Sequence, residues 1–253
     1  MLGIGLALGV GSGRLVDTGS GWALVNPSQT LAGALATFSP IGLSPTAWLR
    51  GDLGVTLNGS AVSGLADQSG NGHNATQATG ALQPGYTASD AGYNGRPTLQ
   101  ATGTQRLVMA SLTLNQPFTV IMVGHCNSGV TAGLFGGPGN EPAGVANGGT
   151  NAAMYAGSQI NSSTSIATKS VMSFEFGSGT GNIYVNSSAS PVKTGSIGAL
   201  NLSSAFVVMW ENLIGVGMTG SMAELIILPN IPSTGNRSLL FQYASSLYGG
   251  SWS

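Results

Sequence analysis

Phe118-Thr119-Val120-Ile121-Met122-Val123-Gly124-His125 is the stretch that decides how this chain is read. Its residues are mostly β-branched or aromatic, which suits a pleated sheet, and it is too short for a buried helix. We read it as a central strand. Outward in both directions lie short apolar runs, separated by clusters of Gly, Asn, Ser and Pro, the spacing of an all-β sandwich. Strands are predicted at 47–49, 107–110, 118–125, 133–135, 152–157, 170–176, 181–185, 204–210 and 222–228. Gly181–Val185 follows Ser178-Gly179-Thr180 as the second arm of a hairpin.

One helix is expected. Ser233-Thr234 precede an amphipathic run ending at Tyr248, and Gly249-Gly250 stop it. Leu239, Leu240, Tyr243 and Leu247 share one face at helical spacing. That face should pack on the strands.

Composition narrows the function. Only 6% of the 253 residues are charged, against about a quarter in ordinary soluble domains. Seven Lys plus Arg against eight Asp plus Glu leave a net charge of −1. There is no basic field to draw nucleic acid. Glu and Lys are too scarce to clothe a coiled coil, and 42% hydrophobic residues exclude a charge-rich disordered polymer. No apolar run approaches the ~20 residues that span a bilayer. Cys126 is the only thiol, so no internal disulfide forms. Ser, Thr, Asn, Gln and 41 Gly take over the surface. Uncharged surfaces repel one another weakly and associate readily, which suits a part of a large assembly.

Residues 1–40 differ in texture from 41–253. Met1–Val10 is apolar but lacks the basic start of a secretory signal, the first Arg being Arg14. We read 1–40 as an extended arm that docks through Leu2, Ile4, Leu6, Leu8 and Val10.

Two ends of the second region carry a resemblance. Pro45-Thr-Ala-Trp48-Leu-Arg-Gly-Asp52, Val62–Ala78 with Asp67-Gln-Ser-Gly-Asn-Gly72, Gln83-Pro-Gly-Tyr86 and Asn94-Gly-Arg-Pro97 form one end. Gly220-Ser-Met-Ala-Glu224-Leu-Ile-Ile-Leu228 and the helix ending Leu247-Tyr248-Gly249 form the other. Together they resemble the concanavalin A-like (laminin G-like) jelly-roll domains of bacterial surface proteins and tailed-phage virions. The likeness spans roughly 43–250, with the middle matching in texture only. It implies two antiparallel sheets with a C-terminal helix, on a fold that hosts lectins, glucanases, adhesion modules and inert structural parts, so function must come from sites.

Glucanases of that superfamily pair carboxylates on one strand. Here no two acids lie within four residues of each other, and Glu175, between Phe174 and Phe176, reads as a solvated or hydrogen-bonded strand residue. His73 and His125 lack the partners of a catalytic triad. Asp67, Ser69 and Asn71 match the first half of a calcium loop, but its twelfth position is Ala78. We therefore expect no metal and no cofactor, and a tight turn stapled by Asp67. Arg50-Gly51-Asp52 spells an integrin tripeptide, a match too short to carry weight. Tyr155, Tyr184 and Trp210 are candidates for stacking on sugar.

These readings converge on a non-enzymatic bacteriophage virion protein, a capsid decoration or head-fibre protein. Its expected partners are the major capsid or tail proteins of the same particle, with no nucleic acid and no membrane span. It would be assembled in the host bacterial cytoplasm, displayed on the particle surface and trimeric around a symmetry axis. The alternative is a carbohydrate-binding module or phage receptor-binding tail protein that recognises host surface glycans. A hydrolase comes third and requires two acids brought together across a cleft.

Overall fold

The computed structural model describes residues 38–212 and 214–253, together with the backbone of 14–17 and 22–25. The chain divides into two units, Met1–Ser39 and Pro40–Ser253. In the first, β1 (Arg14–Asp17) and β2 (Trp22–Val25) pair antiparallel, so part of the expected extended arm is a hairpin. The docking candidates Leu2, Ile4, Leu6, Leu8 and Val10 lie outside the described residues.

The second unit is mostly β. Phe118–Cys126 forms β10, and β10 is central: it pairs with β15 (Ser170–Gly177) on one side and β19 (Thr219–Leu228) on the other. From β15 the ladder continues to β16 (Gly179–Val185) and β17 (Lys193–Gly198). On the far side, β19 forks. Its first half pairs with β8 (Arg96–Thr102) and its second with β3 (Ala47–Arg50). From β8 the path runs through β7 (Gly85–Asp90) to β5 (Ala61–Leu65), which pairs with β4 (Val55–Asn58) and β6 (Ala75–Thr76). It goes on through β9 (Leu107–Met109), β18 (Phe206–Val208), β11 (Ala132–Gly136), β12 (Ala143–Asn147), β13 (Asn151–Tyr155) and β14 (Gln159–Ser165). Just before β14, the Ser158 amide donates to the Ile197 carbonyl of β17 at 2.8 Å. The hydrogen bonds thus form one antiparallel sheet, nearly closed into a barrel, where two separate sheets were expected.

All nine predicted strands are present. Several of the additional ones are polar or Gly-rich, such as β14 (QINSSTS), whose exposed and buried positions largely alternate. Inside, aromatic rings from different strands interlock. Phe118 stacks on Phe176 at 4.5 Å and Phe135 on Phe206 at 5.4 Å, while Phe174 meets Phe135 edge-on at 5.3 Å. Ile121 and Val123, pointing opposite to Val120 and Met122, are equally buried, so β10 is covered on both faces.

Helix α1 (Thr234–Tyr248) starts and stops where expected: the Ser233 side chain accepts from the Asn236 amide, and Gly249 closes it at φ 72°. Its buried face is Arg237, Leu240, Phe241, Tyr243, Ala244 and Tyr248, with Leu239 and Leu247 half-buried. That corrects the predicted face. The rotation follows from two polar anchors. Arg237 Nε donates to Glu175 Oε1 at 2.7 Å, and the Tyr243 hydroxyl donates to Glu224 Oε1 at 3.1 Å. Glu175 is therefore buried under the helix. Glu224 also accepts from Trp48 Nε1 at 2.5 Å. Its Oε2 and the Tyr248 hydroxyl are both buried, and the Tyr248 hydroxyl bears on the Glu224 carboxylate. Burial pushes the Glu224 carboxyl up, with the Trp48 hydrogen bond and the charge of Arg50 pulling the other way. Among the described residues no helix is long and apolar enough to cross a membrane.

Candidate functional site

The Gly-rich stretch 133–149 builds the most distinctive concavity. Strand β11 reads Ala-Gly-Leu-Phe-Gly and β12 reads Ala-Gly-Val-Ala-Asn. Small residues there let another segment lie directly on the sheet. A Cβ on Gly133 would stand 2.2 Å from both the backbone nitrogen and the Cβ of Glu211, and one on Gly136 would meet Glu211 Cγ at 2.7 Å. An irregularity between Gly133 and Phe135 helps both glycines face Glu211. The turn after β18 therefore settles on the sheet, with Ile214 against Ala143, Val145 and Ala153. This small apolar cluster lies on the face of β12 and β13 opposite Ala146, Ala152 and Met154, which belong to the main core.

Between that turn and β13–β14 is a pocket of about 110 Å³, lined by Ala143, Val145, Tyr155, Gln159, Glu211 and Ile214. Strand register explains the lining: Tyr155 sits opposite Ala143 on one side and Gln159 on the other. Its hydroxyl donates to Asn140 Oδ1, which ties the ring to the loop before β12. Glu211 is buried, and its Oε2 accepts from the Ile214 amide at 2.7 Å. Glu141 Oε1 accepts from the Ser203 amide and hydroxyl, while Glu141 Oε2 is buried without a partner and packs over Gly137. Glu141 and Glu211, far apart in sequence, thus flank the Gly136–Gly137 peptide. Acid spacing along the chain could not reveal this.

The other candidates fall elsewhere. Tyr184 is only 7% exposed, with the Arg237 guanidinium 4.0 Å above its ring, so it offers no open face. Trp210 is half-buried beneath Arg106 at 4.6 Å. Asp67 acts as a staple: Oδ1 accepts from the Trp48 and Ser69 amides, and Oδ2 from the Ser69 hydroxyl and the His73 amide. Ser69 and Asn71 are engaged too, the Asn71 backbone amide donating to the Ser69 hydroxyl and its side-chain Nδ2 to the carbonyls of Pro45 and Thr46. Among the described residues no three His, Cys, Asp or Glu side chains gather. Arg50 folds onto Asp52 of its own tripeptide at 2.8 Å, and Arg96 joins at the same distance. His125 Nδ1 lies 2.9 Å from the Ser221 hydroxyl and 3.2 Å from that of Tyr93. Ser221 is fully buried, out of reach of a substrate, and burial pulls His125 down.

Partial burial alone would raise the Asp67 carboxyl, but the hydrogen bonds from Ser69, Trp48 and His73 hold it below the usual range. A depressed carboxylate contributes stability that is present above its unfolded value and fades as pH falls toward its folded one. Asp67→Ala is expected to cost about 2 kcal/mol at neutral pH, the worth of charge-assisted bonds at a half-buried site. Urea melts should show that difference shrinking as pH falls below the usual carboxylate range.

No protein-family model and no curated protein sequence matches the chain. Solved structures do. An arabinofuranosidase complexed with arabinofuranosyl-α-1,2-xylobiose matches with a TM-score of 0.59 and 14% identity, over 74% of this chain and 51% of that one. The binding domain of Paraclostridial Mosquitocidal Protein 1 matches at 0.57 and 12%, over 79% and 53%. The ligand-binding domain of botulinum neurotoxin serotype D, in complex with N-acetylneuraminic acid, matches at 0.55 and 11%, over 81% and 52%. The chain spans about half the length of each.

At such identity the likeness is one of fold. It corrects one expectation: the chain had been read as no enzyme, yet an arabinofuranosidase, an enzyme, has a similar fold, as do binding domains. The fold therefore does not exclude catalysis. The virion role draws no support from these structures.

Proposed function

We propose that the domain binds carbohydrate, with the pocket beside Tyr155 as its site. One observation carries this reading: an aromatic ring, a carboxamide and a buried carboxylate converge on a small apolar floor. A few polar groups aimed into an apolar concavity orient a ligand, and a cavity of about 110 Å³ admits one edge of a sugar ring rather than enclosing the whole of it. The ring of Tyr155 offers stacking for the sugar's C–H face, and Gln159 and Glu211 offer partners for its hydroxyls. Similar folds crystallised with sugars support the reading by analogy. We also take the curled sheet as a jelly roll whose layers are joined at their edges.

The test is titration calorimetry against a panel of glycans. Tyr155→Ala should weaken binding about tenfold or more, the usual effect of truncating a central aromatic, while thermal melting stays close to that of the parent. Tyr155→Phe removes only the link to Asn140 and should retain most of the affinity. Unchanged binding by Tyr155→Ala would remove the pocket from consideration.

A further inference from the structure

The size of the pocket narrows its ligand further, and the inference rests on the carbohydrate reading above. An apolar cavity of about 150 Å³ takes one benzene ring, with six non-hydrogen atoms. At about 110 Å³, this one has room for roughly four on the same scale. A pyranose with its substituents is larger, so one substituent enters and the ring stays outside. Strand register sets what that substituent meets. Ala143, Tyr155 and Gln159 stand in one cross-strand row, and Val145, Ala153 and Asn161 in the next row on the same face. Alanine at 143 and 153 keeps the floor low, and Val145 with Ile214 makes it apolar. At the exposed rim, Gln159 Nε2 donates to Asn161 Oδ1 at 2.6 Å. The carboxamide is thereby pinned by its nitrogen, and no donor meets its Oε1 among the described residues.

We infer that the pocket takes the N-acetyl group of an acetamido sugar. That group has about as many non-hydrogen atoms as the cavity holds. Its methyl rests on Ala143, Val145 and Ile214, and its N–H donates to Gln159 Oε1. Amide planarity permits both at once: in the trans form the methyl and the N–H lie on one side, and the carbonyl lies on the other, toward water. A plain hydroxyl leaves the apolar floor uncovered. A lone methyl fills only part of the space and donates nothing. The ammonium of an unacetylated amino sugar would give up water against an apolar floor, which costs free energy.

The experiment is calorimetry on the full chain with matched glycosides: plain hexoses, their N-acetyl, N-propionyl and O-acetyl derivatives, the free amines, and deoxy sugars that end in a methyl. Parent, Gln159→Leu, Ile214→Ala and Tyr155→Ala are compared. The parent should bind the N-acetyl member about tenfold or more tightly than the plain hexose, the combined worth of a buried methyl and one hydrogen bond. It should bind the N-propionyl member less well than the N-acetyl one, for want of room. Gln159→Leu changes an exposed residue, so it should fold even if the Ile214 variant does not, and it should narrow the N-acetyl preference about fivefold. Ile214→Ala opens the floor and should turn the preference toward N-propionyl, a reversal that a merely structural role does not produce. A plain hexose bound by the parent as tightly as its N-acetyl derivative, and lost in Tyr155→Ala, overturns the acetamido assignment while leaving the carbohydrate site standing. So does an O-acetyl, deoxy or N-propionyl sugar that matches the N-acetyl one, or a preference that neither Gln159→Leu nor Ile214→Ala moves. Binding that Tyr155→Ala leaves unchanged, or no binding to any member, overturns both readings.

Discussion

Arg237→Ala is expected to destabilise the domain by about 3–5 kcal/mol, the usual cost of removing one partner of a buried ion pair. The Arg237 and Glu175 side chains are only 7% and 1% exposed. Arg237 also spans to the carbonyls of Ser188 and Pro232 and covers the ring of Tyr184. Without it, Glu175 keeps only the Asn182 amide, at 3.3 Å. Burial already pushes the Glu175 carboxyl up, with Arg237 and Asn182 opposing. A carboxyl raised on folding favours the folded state most when protonated, so that component of stability falls as pH rises through its folded value. Removing Arg237 raises it further. The deficit of Arg237→Ala should therefore shrink in acid, and denaturant melts at pH 7 and pH 4.5 measure it. Arg237→Met with Glu175→Gln should recover much of the loss, because neither partner then carries a buried charge. An equal deficit at both pH values would mean that lost packing over Tyr184 dominates.

Gly133→Val should abolish the pocket. A Cβ at residue 133 would stand 2.2 Å from the Glu211 backbone, too close for a side chain to relieve by rotating. The turn that carries Glu211 and Ile214 must lift from β11 and take one wall of the pocket with it. Overpacking of this kind typically costs 1–3 kcal/mol, so the domain should still fold, with glycan binding reduced beyond the roughly tenfold effect of Tyr155→Ala. Val130→Ala, at a 58% exposed position nearby in sequence, is the control and should change neither property. Retained affinity in Gly133→Val would place the binding surface elsewhere on the sheet.

The two regions of the sequence were unequally readable. Strand β10 was legible because Val120–Val123 is apolar at consecutive positions, the pattern of a strand covered on both faces. Strands β4, β5, β7 and β14 carry Gly, Ser, Thr or Asn at half-exposed positions. Their place is held by neighbouring strands more than by their own propensity. The C-terminal helix showed its ends through Ser233 and Gly249, since capping is local chemistry. Which face it buries was hidden, because Glu175 and Glu224, which draw in Arg237 and Tyr243, come from distant strands.

The site divides in the same way. Tyr155 stood out as a strand aromatic, and Asp67 as the staple of a turn whose donors are mostly its own neighbours. Glu211 had no signal, since it finds room only where Gly133 and Gly136, distant in sequence, leave space for it. Sequence alone determined an all-β chain with scarce charge, its central strand and its capped helix, because propensity, composition and capping act over a few residues. Only the tertiary structure decided which carboxylate is buried beside the pocket, which aromatic stays open and where the pocket forms. Those outcomes depend on long-range register, and in a sheet one small residue on a neighbouring strand decides whether a side chain has room.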